Sequence, residues 1–122
     1  MKYFRYSEFD SPDTDGSGQL MDKGFLEMLE AAREIYGKPI TITSGFRTEN
    51  YNEELRKKGY KASTNSSHLK GYAADLACTT SVDRWDLLDS LMKAGFNRIG
   101  IAKTFIHVDN DPDKPPFLIW TY

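Results

Sequence analysis

The sequence predicts an α+β fold: one domain, spanning 1–122, in which a small, mainly antiparallel sheet is flanked by helices. Three observations lead there. Helical and strand periodicity alternate along 122 residues, a length that fits one hydrophobic core. The apolar runs at 98–102 and 104–109 are joined too closely for a crossover helix, so that pair is antiparallel. Composition is ordinary for a globular chain, with 39% hydrophobic and 28% charged residues and no repeat or low-complexity tract.

The elements follow in order. The first twenty residues are rich in turn formers, and 11–18 reads as a loop. A first helix is expected over 22–36, with Phe25, Leu29 and Ala32 at helical spacing and Gly37 as the stop. The β-branched alternation of 39–44 reads as a strand. Thr48 can cap a second helix that ends near Lys58, with Gly59 just beyond it. A polar loop, 62–67, leads to His68, and Gly71 turns the chain into a short strand over 72–78. The third helix is the best signalled. Ser81 is its expected cap, Trp85, Leu88, Leu91 and Met92 its apolar stripe, and Gly95 its end. The two antiparallel strands come next, and a turn-rich loop precedes a terminal strand, 117–122. That strand is expected in the core, with Trp120 as a possible groove wall.

Charge and composition exclude several classes. Sixteen Lys and Arg against eighteen Asp and Glu leave a net charge of −2, which supplies no cationic face for nucleic acid. No apolar run approaches the ~20 residues of a membrane span. The opening residues lack the apolar core of a signal peptide, so the chain is expected to stay in the cytoplasm until some other route releases it. The single cysteine, Cys78, cannot form an internal disulfide and reads as a small buried hydrophobe. The Asp13 to Gly18 stretch is not an EF-hand loop, because Ser11 stands at the acidic first position and no helix precedes it. Arg56-Lys57-Lys58 complements the dipole at a helix end.

Chemistry concentrates in two places: Ser66 to Asp75, and Phe105 to Asp109. His68, Asp75 and His107 offer two imidazole nitrogens and one carboxylate, a set suited to Zn²⁺ with one position left open for water or substrate. On a strand, Phe105, His107 and Asp109 share one face while Ile106 and Val108 share the other. His107 and Asp109 can therefore face a cleft while the β-branched pair packs inward.

These residues carry a resemblance. Ser44-Gly45-Phe46-Arg47, the S-x-H-x-x-G-x-A-x-D run from Ser66 to Asp75, and F-x-H-x-D from Phe105 to Asp109 resemble the zinc D-Ala-D-Ala carboxypeptidases. Their fold is shared with the hedgehog signalling domain, and compact single-domain members occur in phages and bacteria. The resemblance implies one zinc per chain on His68, Asp75 and His107, with Arg47 holding substrate or stabilising the developing oxyanion. It implies Ser66 as a hydrogen-bonding group of the site. It further implies a monomeric metallopeptidase, of D,D-carboxypeptidase or L,D/D,D-endopeptidase type, acting on peptidoglycan stem peptides in a lytic or wall-remodelling role.

One position departs from the pattern. Many members carry Glu or Asp three residues before the last histidine as general base; here Thr104 stands there and cannot take a proton near neutral pH. Asp109, on the strand face of His107, is the nearest replacement. It could equally be an acceptor that orients a ligating imidazole. The departure also admits a rival of another class, a zinc-containing module that binds wall peptides or a protein partner without hydrolysis.

Overall fold

The structure, a computed structural model, describes residues 1–60 and 62–122. Helix α1 (Lys23–Tyr36) begins where the Asp22 carboxylate accepts the Phe25 N–H at 2.9 Å. Its Phe25, Leu29 and Ala32 are fully buried, and Gly37 closes it. Helix α2 (Glu49–Lys57) is capped by Thr48, whose hydroxyl accepts the Tyr51 N–H at 3.1 Å.

Helix α3 (Ser81–Lys93) departs from expectation in two ways. Thr80, not Ser81, is the cap: its backbone is extended and its hydroxyl accepts the Asp83 N–H at 3.1 Å, which makes Ser81 the first helical residue. The buried face is Leu87 and Leu91 with Ser90, whereas Trp85 and Met92 are 73% and 54% exposed. Apolar residues surround this helix, so periodicity alone could not select the inward side. Ser90 tolerates burial because its hydroxyl donates to the Asp86 carbonyl one turn back.

The five strands are β1 (Ile42–Ser44), β2 (Ala73–Ala77), β3 (Arg98–Ile101), β4 (Phe105–Asp109) and β5 (Leu118–Thr121), in sheet order β1-β2-β4-β3-β5. Pairs β1–β2, β2–β4 and β3–β4 are antiparallel, and β5 runs parallel to β3. The expected α+β class and mainly antiparallel sheet are therefore present. Strands β1 and β2 are shorter than the sequence suggested. Strand β5 is an edge strand, not a core strand; Ile119 is half exposed, and Trp120 lies on the face opposite α1 and α3.

The opening twenty residues hold more than loop, with 3-10 turns at Tyr6–Phe9 and Ser17–Leu20. Asp10 ties them, accepting the Gly16 and Gly18 N–H groups at 3.0 and 2.7 Å. A third 3-10 turn, Ser67–Lys70, carries His68 and ends at Gly71, whose φ of 79° is the left-handed region that glycine enters freely.

One sheet face packs on α1 and α3. Ala74, Leu76, Ile99, Ile106 and Val108 meet Phe25, Leu29, Leu87 and Leu91 there, and Phe25 and Phe96 stack edge to face with centroids 5.6 Å apart. Each buried large side chain contributes about 1.5–3 kcal/mol. The opposite face carries Asp75, His107, Asp109 and Arg98. No helix among the described residues is long and apolar enough to cross a membrane.

Candidate metal centre and its cleft

Alternation on two adjacent strands builds the floor of a cleft. Asp75 on β2 and His107 on β4 are register partners, so both side chains leave the same face. Ile106 and Val108 point the other way and are fully buried. The 3-10 turn brings His68 over this pair, and the ligand atoms of His68, Asp75 and His107 lie within 4.8 Å of one another. The cleft above has a volume of about 470 Å³. Arg47, Tyr51, Tyr60, Ser66, Lys114, Trp120 and Tyr122 contribute to its walls.

Hydrogen bonding defines the donor atoms. His68 Nδ1 lies 2.7 Å from the Gly45 carbonyl, which can only accept, so Nδ1 carries the proton and Nε2 the lone pair. That Nε2 is buried without a hydrogen-bond partner and faces Asp75 Oδ1 at 3.3 Å. Burial holds the His68 imidazole below its ordinary range despite the pull of Asp75, so it is neutral. A lone pair aimed at a carboxylate oxygen is repulsive unless a cation lies between them. His107 Nδ1 is 2.9 Å from the same Asp75 oxygen.

Burial alone would raise the Asp75 carboxyl, but the charge around it and the hydrogen bond with His107 Nδ1 outweigh burial and hold the carboxyl well below the usual range. The edge of a tetrahedron with metal–ligand bonds near 2.0–2.1 Å is about 3.3 Å. Two imidazoles and an ionised carboxylate at these spacings fit a divalent cation of the zinc type. The orphaned His68 Nε2 is the sharpest sign of that fit.

The remaining residues singled out by sequence surround this cluster. Arg47 Nε donates to Ser44 Oγ at 3.0 Å, one terminal nitrogen donates to Asp75 Oδ2 at 3.3 Å, and its backbone N–H reaches the His68 carbonyl. Ser66 lines the cleft, and its hydroxyl oxygen accepts the His68 N–H at 3.2 Å, capping the 3-10 turn. Asp109 is 1% exposed; its Oδ2 lies 2.7 Å from His107 Nε2. Its Oδ1 accepts from Arg98 Nε at 2.6 Å and the Asp111 N–H at 3.2 Å. Burial opposes charge on His107, but the bonds to Asp109 and Asp75 win and hold its imidazole above the ordinary range. Thr104 is exposed and absent from the cleft lining, so Asp75 and Asp109 are the carboxylates there among the described residues.

Sequence reasoning missed Arg98, Lys114 and the Gly45 carbonyl. Arg98 had a usable signal: a tight β3–β4 turn pairing Ile101 with Ile106 also pairs Gly100 with His107, which sets Arg98 opposite Asp109. Lys114, whose ammonium donates to the Asn65 carbonyl and Ser67 Oγ, reaches the site from a loop and had none; Gly45 stands in the Ser44 to Arg47 motif, but a backbone carbonyl's role leaves no mark in the sequence.

The peptidase M15 family model matches residues 2–109, most of the chain, and the chain belongs to that family. The resemblance drawn from the motifs points to the same family. Among solved structures, the fold is similar to the L-Ala D-Glu endopeptidase ChiX of Serratia marcescens, with a TM-score of 0.64 and 14% identity. That similarity covers 76% of this chain and 82% of the other. No protein with a curated description matches the sequence.

Proposed function

We propose that the protein is a zinc-dependent peptidase that hydrolyses bacterial cell-wall peptides at a bond involving a D-amino acid. The observation that carries this reading is the convergence of His68 Nε2, Asp75 and His107 Nδ1 at the base of an open cleft, with the His68 nitrogen lacking any partner. Membership of the peptidase M15 family and the likeness to an L-Ala D-Glu endopeptidase support the reaction class and the substrate.

His68, Asp75 and His107 would hold the metal. When bound, it supplies Lewis-acid polarisation of the scissile carbonyl and activation of water. The Gly45 carbonyl orients His68, and Asp109 orients His107 by taking its Nε2–H. Both Asp109 oxygens are engaged, so Asp109 serves as this orienting acceptor, not as a free base. Arg47 is braced by Ser44 and Asp75, which leaves guanidinium donors for the oxygen on which negative charge develops.

A second reading keeps the metal and the wall peptide but not the hydrolysis. The position of Thr104 favours it, since among the described residues no carboxylate of the cleft with an idle oxygen takes the place of the missing base. One experiment separates the two: incubation with purified peptidoglycan and synthetic stem peptides, with and without Zn²⁺, followed by mass spectrometry. Zinc-dependent cleavage supports the peptidase. Retention of intact peptide without cleavage supports the binding module.

A further inference from the structure

Two carboxylates bracket His107, and each has its own arginine. Asp75 lies against Arg47 at 3.3 Å, and Asp109 lies against Arg98 at 2.6 Å. Both arginines line the cleft, but Arg47 donates to the proposed ligand Asp75, whereas Arg98 makes its hydrogen bonds, among the described residues, to Asp109 and Pro115. Arg98 is 8% exposed, and its position is over-determined. Its Nε donates to Asp109 Oδ1, a terminal nitrogen donates to the Pro115 carbonyl, and its guanidinium lies 5.4 Å from the Trp120 ring. Trp120 in turn reaches His107, with ring centroids 5.4 Å apart. It can do so because Gly100 stands between them on β3: a Cβ there would meet Trp120 Nε1 at 2.5 Å.

Asp109 Oδ1 accepts from both Arg98 Nε and the Asp111 N–H, so Oδ2 is the oxygen left to face His107 Nε2, 2.7 Å away, as the acceptor of its proton. With Nε2 held as a donor to Asp109, Nδ1, 2.9 Å from Asp75 Oδ1, is the ring nitrogen left to serve a cation placed among the three side chains. That orientation holds only while the buried carboxylate does not rotate. Arg98, with the Asp111 N–H, pins Oδ1 and so fixes the rotation that presents Oδ2 to His107.

We infer that Arg98 is a positioning residue: it holds Asp109 so that Asp109 keeps the proton of His107 on Nε2 and leaves Nδ1 for the metal. This rests on the ligand set of the proposed function. It adds a residue to the outer layer of that site, from a different strand and a different loop.

The test uses the full chain with Arg98→Gln and Arg98→Lys. Zinc affinity is read by competition with a chromophoric chelator, and the His107 Nε2–H is read by proton NMR as an exchange-protected ring resonance in metal-free and zinc-loaded protein. Arg98→Gln should weaken zinc binding by about 10–100-fold, as loss of an orienting partner does, and should broaden or abolish the protected resonance. Lysine restores a charged donor but not the planar fork, so Arg98→Lys should lose only about 3–10-fold and keep the resonance. Zinc affinity within about twofold of wild type in Arg98→Gln, with an unchanged resonance, would overturn the inference. If Arg98→Gln does not fold, Arg98→Lys decides: the intermediate loss supports positioning, and wild-type affinity refutes it. Failure of the parent reading looks different. In that case wild-type protein binds no zinc, or His107→Ala binds it equally well, while the effect of Arg98 on the Nε2–H stays measurable without metal.

Discussion

Arg47 and Asp109 illustrate how two charged residues near one candidate metal cluster take different work from their bonding. Arg47 uses two of its donors on Ser44 and Asp75 and keeps the rest toward the cleft. Replacing its planar fork by an ammonium removes bidentate donation, so Arg47→Lys should lower peptide hydrolysis on the order of 10²-fold. Zinc content, measured by elemental analysis, should stay near that of wild type. Asp109 has no idle oxygen, and Asp109→Asn replaces the acceptor of the His107 proton with an amide. The expected outcome is zinc affinity weakened by about 10–100-fold. A variant that kept its zinc but lost about 10²–10⁴-fold in rate would instead identify a general base. His68→Ala and His107→Ala should each lose most of the bound zinc; unchanged content in both would refute the ligand assignment.

At the scale of elements, the 3-10 turn that carries His68 is held down by the loop after β4. Asp111, 2% exposed, accepts from Ser67 Oγ at 2.8 Å, from the Lys70 ammonium at 3.1 Å and from the Asp113 N–H at 3.0 Å. Burial pushes the Asp111 carboxyl up, but the Asp113 N–H, the Ser67 hydroxyl and Lys70 outweigh it and hold the carboxyl below the usual range. A depressed carboxyl contributes stability above its unfolded value, near pH 3.9, and that contribution is lost as pH falls through the folded value. Asp111→Asn should therefore cost about 1–3 kcal/mol at pH 7 and flatten the acid limb of a stability–pH curve from denaturant melts. An acid limb as steep as wild type would remove Asp111 from the clamp. This clamp was not legible in the sequence, because it joins residues 44 apart through loops that have no periodicity. The strand face of His107 and Asp109 was legible, because a period of two leaves only one way to bury Ile106 and Val108. The inward face of α3 was not. Trp85 and Met92 look as apolar as Leu87, and only packing against α1 and the sheet separates them.

Across the whole molecule, the candidate metal cluster sits on one sheet face and the apolar core on the other, so the core is built without the cluster. Phe9, Phe25, Leu29, Leu76, Leu87, Leu91, Ile99, Ile106 and Val108 are all buried to within 1% without help from the cluster. A chain of this length hides roughly two thirds of its unfolded surface, enough to fold without a metal. Yet the cluster joins β2, β4 and the 3-10 turn, and without a cation it aims the His68 lone pair at a carboxylate. A cation that binds only the folded chain stabilises it by mass action, about 2.7 kcal/mol at a hundredfold excess over Kd. For a domain between the small and mid-sized classes, that corresponds to a rise in Tm of about 10 °C. Thermal melts followed by circular dichroism should therefore show one cooperative transition in chelator and the same transition, about 10 °C higher, in zinc. His107→Ala should keep the first and lose the shift. A chain that unfolds in chelator at room temperature would show that the core is not self-sufficient. A wild-type Tm indifferent to zinc would show that the cluster does not hold the metal.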